Sequence, residues 1–209
     1  MAEETTQNPN PGFDEEKFQA NYKNMKEAVE KSGTPLSHGA FGEFLFMTGV
    51  EEHMKEAIPE LQIAADAGYA SAKAYLGDAY LNGKGVEKDF PKAFDLLFDA
   101  SLEGDVDATY LLGVIYFRGT EVEPDYEKAR DFFADSASKG NSGAMNCLGL
   151  IFLGGFGVEQ NIPKAKRYFQ KAMEHNNVNG KKNLDMIKEQ GRRFNYHDFI
   201  LMSFAQKEE

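Results

Sequence analysis

Two apolar patterns alternate along most of this chain, with glycine-bearing turns between them. Ala72, Leu76 and Tyr80 fall at i, i+4 and i+8, the spacing of one face of a helix. Ala93, Leu97 and Ala100 mark a second helical face after Asp89, a good N-cap residue, and Pro91, which the first turn of a helix tolerates. Between the two lies Asn82-Gly83-Lys84-Gly85, where glycine supplies the positive φ that ends a helix, and Val86 is expected to tuck into the core from this loop.

The whole pattern recurs at a shift of 36 residues: Gly68, Gly104 and Gly140 align, as do Leu76, Leu112 and Leu148. So do Gly77, Gly113 and Gly149, then Val86, Val122 and Val158, and Ala93, Ala129 and Ala165. A glycine kept inside the first helix, where it costs about 1 kcal/mol relative to alanine, predicts a neighbouring helix too close for a Cβ. The second helices repeat their apolar face as Ala129, Phe133 and Ser136, then as Ala165, Phe169 and Ala172, and begin at Asp125 and Asn161. One such hairpin cannot bury its own apolar side, whereas stacked hairpins bury it for one another. The reading is an all-α fold, a right-handed α/α superhelix or solenoid of helix-turn-helix repeats with a 36-residue period. At the same shift an earlier, degenerate copy places Ala57 and Leu61 under Ala93 and Leu97, with Phe41 and Met47 where glycines are expected. A last partial copy places Gly180 and Leu184 under Ala144 and Leu148.

Three strings carry a family likeness: AKAYLGDAYLNGKGVEKDFPKAFDLL from Ala72, ATYLLGVIYFRGTEVEPDYEKARDFF from Ala108 and AMNCLGLIFLGGFGVEQNIPKAKRYF from Ala144. The order of small residue, Leu-Gly, aromatic, G-x-G-V and a Lys-Ala helix resembles the Sel-1-like repeat family, relatives of the tetratricopeptide solenoids. The resemblance covers about residues 36–187 and implies an adaptor fold with a concave binding surface and no catalysis. Glu121 stands where the other copies have their second loop glycine, which leaves room for a different turn there. The paired cysteines of the family's disulfide-rich bacterial branch are missing.

Composition narrows the function. Acids number 34 against 23 bases, a net charge of -11, which repels nucleic-acid phosphates and anionic lipid and favours basic partners. No nucleic acid and no membrane are therefore expected as partners. The first residues, Met1 to Pro11, lack the basic and apolar regions of a signal peptide, and no apolar run approaches a membrane span, so a cytoplasmic location is expected. Cys147 is the sole cysteine, on a packing helix, and is read as an inert thiol. His38, His53, His175 and His197 show no metal-ligand spacing. Gly83-Lys84-Gly85 lacks the strand and the Gly-Lys-Ser/Thr ending of a phosphate loop. Glu87, Glu123 and Glu159, one per repeat, suit helix dipoles better than acid–base catalysis. Neither a catalytic residue, a metal nor a cofactor is assigned.

The first helices of tetratricopeptide-like stacks line the concave face, so the candidate partner-binding groove comprises Asp78, Asn82, Tyr110, Val114, Arg118, Asn146 and Leu150. Apolar Val114 and Leu150 are unusual for a solvated surface, and Tyr110 and Arg118 are frequent interface anchors. Leu81, Phe117 and Leu153 belong either to that stripe or to the core between repeats. The expected organisation is a polar tail at 1–12, an N-terminal helix at 13–35, repeats at 36–187 and a C-terminal helix at 188–209. Phe18, Tyr22, Met25 and Val29 give the N-terminal helix an apolar face, read as a cap over the first hairpin or as a partner-recognition face. The aromatic C-terminal stretch either caps the stack or folds into a groove, its own or a second molecule's, as a monomer or a weak homodimer. The function expected is a non-catalytic adaptor or scaffold holding a protein or peptide, the alternative a dedicated acidic inhibitor or immunity-type protein for a basic toxin or enzyme.

Overall fold

The structure, a computed structural model, describes residues 14–190 and 194–205. Eleven helices run through the described residues, with no strand among them: α1 (Glu15–Ser32), α2 (Pro35–Phe46), α3 (Glu51–Asp66), α4 (Ala70–Asn82), α5 (Phe90–Leu102), α6 (Val106–Arg118), α7 (Tyr126–Ser138), α8 (Ser142–Gly154), α9 (Ile162–Glu174), α10 (Val178–Gln190) and α11 (Tyr196–Ala205). The chain divides into two compact units, Met1–Asp99 and Ala100–Glu209. The expected tail at 1–12 lies outside the described residues.

Local chemistry sets the helix boundaries as the sequence predicts. The carboxylates of Asp89 and Asp125 and the amide oxygen of Asn161 accept from the backbone N–H groups of Lys92, Lys128 and Lys164 at 3.1, 2.9 and 2.9 Å. Each satisfies a donor that the first turn leaves orphaned. At the other ends Gly83, Gly119 and Gly155 take φ of 71°, 71° and 73° and donate to Ala79, Ile115 and Ile151 carbonyls. The next left-handed position is Gly85 at 71° and Gly157 at 63°, and Glu121 takes φ 54° at the same place. The middle turn therefore keeps the common geometry, and a non-glycine residue carries it.

In the first unit α2 and α3 form a hairpin, α1 lies on α2, and α4 packs on α3. Phe41, Leu45, Ala57, Leu61, Ala64, Ala72 and Leu76 are its sealed interior. The α1 residue Phe18 is buried and stacks on Phe44 and His53 at 5.3 and 4.5 Å between ring centres. Tyr22, Met25 and Val29 are half-buried on the same side, and Val86 reaches this core from its loop. A Cβ on Gly77 would stand 2.6 Å from Leu97 Cγ, the close helix approach expected there. The earlier copy differs from the expectation in one respect. Gly42, not position 41, has this role, with its Cβ position 2.8 Å from Leu61 Cγ, and Phe41 is a core residue instead. The turn after α2 is one residue shorter than in later copies, so a constant shift of 36 misplaces the glycine and Met47 ends α2 in a right-handed conformation.

In the second unit α6 pairs with α7, α8 with α9, and α10 packs on α9. Phe133 and Phe169 are fully buried, and a Cβ on Gly113 or Gly149 would meet their rings at 2.7 and 2.4 Å. After α10 the chain does not make another hairpin partner. Helix α11 returns to α8, where Tyr196 and Ile200 are sealed into the same core as Phe156.

Candidate functional site

The predicted groove residues sit on first-type helices of both units. In the first, Asp78 and Asn82 work locally. The Asn82 amide donates to the Asp78 carboxylate at 2.6 Å, and the Lys84 ammonium pairs with the same carboxylate at 2.7 Å while lying 5.5 Å over the Phe46 ring. Together they brace the turn after α4.

In the second unit α6 and α8 bring Tyr110, Val114, Asn146 and Leu150 onto one packed layer. Val114 and Leu150 are half-buried against the core, and Arg118 is exposed at the end of α6. The Tyr110 ring lies 5.9 Å from Phe133, and its hydroxyl and the Cys147 thiol are close enough to influence each other's ionisation. Loss of water pushes the thiol up to about 12, against smaller opposing effects of Tyr110 and Arg118. The neighbouring sulfur and burial likewise raise the Tyr110 phenol above its ordinary range. Both groups are neutral at pH 7, so Cys147 is no thiolate nucleophile. Asn146 is buried and its carbonyl accepts from the Asn183 amide at 2.8 Å, tying α8 to α10. Sequence reasoning missed Asn183, whose signal was faint: it is a polar residue on a helix aligned with α8.

Phe117 and Leu153 are buried in the core, which settles that alternative for both, while Leu81 is half-buried in its own unit. One turn beyond Leu150, the stripe meets α11. The His197 imidazole Nδ1 stands 2.9 Å from the Gly154 carbonyl, and its ring stacks on Phe156 at 4.4 Å. The other histidines also have structural partners: His38 the Glu60 carboxylate, His53 the Thr48 hydroxyl, His175 the Lys171 carbonyl. Among the described residues no cluster of three or more His, Cys, Asp and Glu could hold a metal ion, and no helix is long and apolar enough to cross a membrane.

The family model for the Sel1 repeat matches residues 70–105, 106–141 and 142–177, more than half of the chain. Each match opens on a first helix and closes just after a second. A Sel1 repeat protein from Oxalobacter formigenes is similar at 26% identity and TM-score 0.71, over 87% of this chain and 78% of that one. A sel1 repeat protein from Klebsiella pneumoniae (24%, TM-score 0.48, 82% and 93% covered) and the immunity protein Pa5087 from Pseudomonas aeruginosa (21%, TM-score 0.38, 85% and 72% covered) overlay too loosely to bear on function. A search of curated proteins found no significant match.

Proposed function

The chain belongs to the Sel1 repeat family, and from that premise we propose that it is a non-catalytic adaptor that holds a protein or peptide against the first-helix face of its repeats. Sel1 repeat proteins generally mediate protein–protein interaction, and their fold is typically an interaction module rather than a catalytic one. The observation that carries the reading is the pair Val114 and Leu150, aliphatic side chains at the same repeat position that remain half-exposed beside Tyr110 and exposed Arg118. A partner would cover these apolar positions and draw its affinity from a few anchors, Tyr110 and Arg118 foremost. Asn146 would border these positions in the same unit, held in place by the hydrogen bond that it accepts from the Asn183 amide.

The test is capture of a partner from native lysate, followed by affinity measurements with that partner purified. Tyr110→Asp with Val114→Asp is expected to abolish binding while the far-ultraviolet spectrum stays helical. Arg118→Glu, at an exposed position, serves as the second variant. Unchanged affinity in both would refute the assignment.

The net charge of -11 favours a second reading, an acidic inhibitor of a basic protein. Electrostatic steering would then govern association, and the on-rate would fall steeply with ionic strength. An adaptor that binds through Val114 and Leu150 keeps its on-rate nearly level over the same range.

A further inference from the structure

The second helices of the three regular repeats carry the same charge pattern twice and then invert it. Lys92, Asp95 and Asp99 on α5 correspond to Lys128, Asp131 and Asp135 on α7, and to Lys164, Arg167 and Lys171 on α9. The lysine of each set has a shared structural task. Lys92 lies over Tyr80 at 4.1 Å, Lys128 over Tyr116 at 5.1 Å and Lys164 over Phe152 at 3.8 Å, each a cation–π contact to the preceding first helix. The other two positions have no such constraint and change sign. Asp131 and Asp135 are bridged by Arg130 and Lys139 at 3.2 and 3.0 Å. Arg167 and Lys171 are exposed, and among the described residues neither they nor Lys166 pairs with a carboxylate. With Asn161, Pro163, Lys164 and Tyr168 they line a shallow hollow on the outer side of α9.

We propose that this outer face of α9 is a second docking surface, for a short carboxylate-rich segment of a partner protein. The Arg167 guanidinium and the Lys171 ammonium, on either side of Tyr168, give such a segment charge-assisted hydrogen bonds and a ring to lie on. The surrounding charge selects the occupant. The neighbouring α10 adds exposed Lys181, Lys182 and Lys188, and a nucleic acid or an anionic membrane extending past these two helices would meet the rest of a chain of net charge -11. A second copy of the chain would bring that same net charge with it.

The proposal stands apart from the first-helix face, since its variants leave Tyr110 and Val114 untouched. The probe is a fluorescent peptide of consecutive glutamates, titrated by anisotropy at low salt, where the Debye length is about 20–30 Å. Saturable binding is expected, weakened at least about tenfold in Arg167→Asp with Lys171→Asp and by less in the matching glutamine pair, because reversal adds repulsion to lost attraction. The aspartates are the residues the two earlier repeats use at these positions, so an unaltered melting curve is expected. Three results overturn the proposal: unchanged peptide affinity in the reversed variant, tighter binding of an oligothymidylate or of phosphatidylserine vesicles than of the peptide, or self-association as the property the variant removes.

Discussion

Helices α8 and α9 are partners in one hairpin and have opposite designs. Helix α8 contains no charged residue and is buried at nine positions, including Asn146 and Gly149. Helix α9 buries only Ala165, Phe169 and Ala172 and exposes four cations. The difference follows from where each stands. A first helix is covered by its own second helix, by neighbouring first helices and here by α11, so packing constrains most of its surface. A second helix gives one narrow face to the core and leaves the rest to water, where sequence can drift or be selected for charge. Under the proposed function, recognition by first helices rests on a few half-open positions such as Val114 and Leu150, whereas the proposed α9 surface would use a charged face.

The sharpest way to break this contrast is to damage the one face of α9 that packing does constrain. Phe169 is fully buried and abuts Gly149, so Phe169→Ala should cost about 3–5 kcal/mol, whereas the exposed neighbour substitution Gln170→Ala should stay within about 0.5 kcal/mol. Urea unfolding of the two variants measures the gap, and similar midpoints would mean that the hairpin is not held by this contact.

Helix α11 comes next. If its contact with α8 is part of the core, Ile200→Ala should cost about 2–4 kcal/mol, since that side chain is 1% exposed. If α11 is a detachable strap over the end of the first-helix stripe, the loss of stability is small and partner affinity rises instead. The thermal midpoint and the affinity, read on the same variant, separate a cap from an occupant of the groove.

The repeats were legible in the sequence because each column has one physical task that few residues perform. Gly149 must lack a Cβ under Phe169, and Asn161 must cap α9. Where one task can be met at two registers, a constant shift misleads, as at Gly42, where a turn shortened by one residue moved the glycine. The return of α11 to α8 had no local signal: Tyr196 and Ile200 belong to an aromatic C-terminal stretch, and nothing in it names the surface that covers them. For the candidate site, the half-exposure of Val114 and Leu150 followed from their place in the repeat. The Tyr110–Cys147 proximity and the Asn146–Asn183 bond did not, because they join residues of different repeats.

The Tyr110–Cys147 contact yields a smaller effect with a defined pH signature. Burial raises the thiol from 9.0 to about 12 in the folded chain, so its contribution to stability is complete below pH 9 and is lost as pH rises toward 12. Cys147→Ala should lower stability at pH 7 by about 1–2 kcal/mol, through the lost packing against the core, and should flatten the alkaline decline. Thiol labelling at pH 8 should be slow in the native chain and fast in urea. Rapid native labelling would contradict a thiol held neutral between α6 and α8.

The smallest expected effect is the most local, in the turns that join first helices to second. Gly85 cannot be replaced there, because a Cβ would stand 2.6 Å from the Met54 carbonyl carbon, besides needing a left-handed φ. Glu121 occupies the matching position at φ 54° with an exposed side chain, so its turn bears only the cost of the backbone conformation. That cost is about 1 kcal/mol for a residue with a Cβ, partly offset because glycine gives the unfolded chain more freedom. Glu121→Gly should therefore stabilise the chain by about 0.5–1 kcal/mol, and Gly85→Glu, the reciprocal change, should destabilise it by several times as much through backbone collision. Thermal melts of the two variants give the comparison directly. Equal and opposite shifts would mean that left-handed strain alone, without the approach of α3, governs both turns.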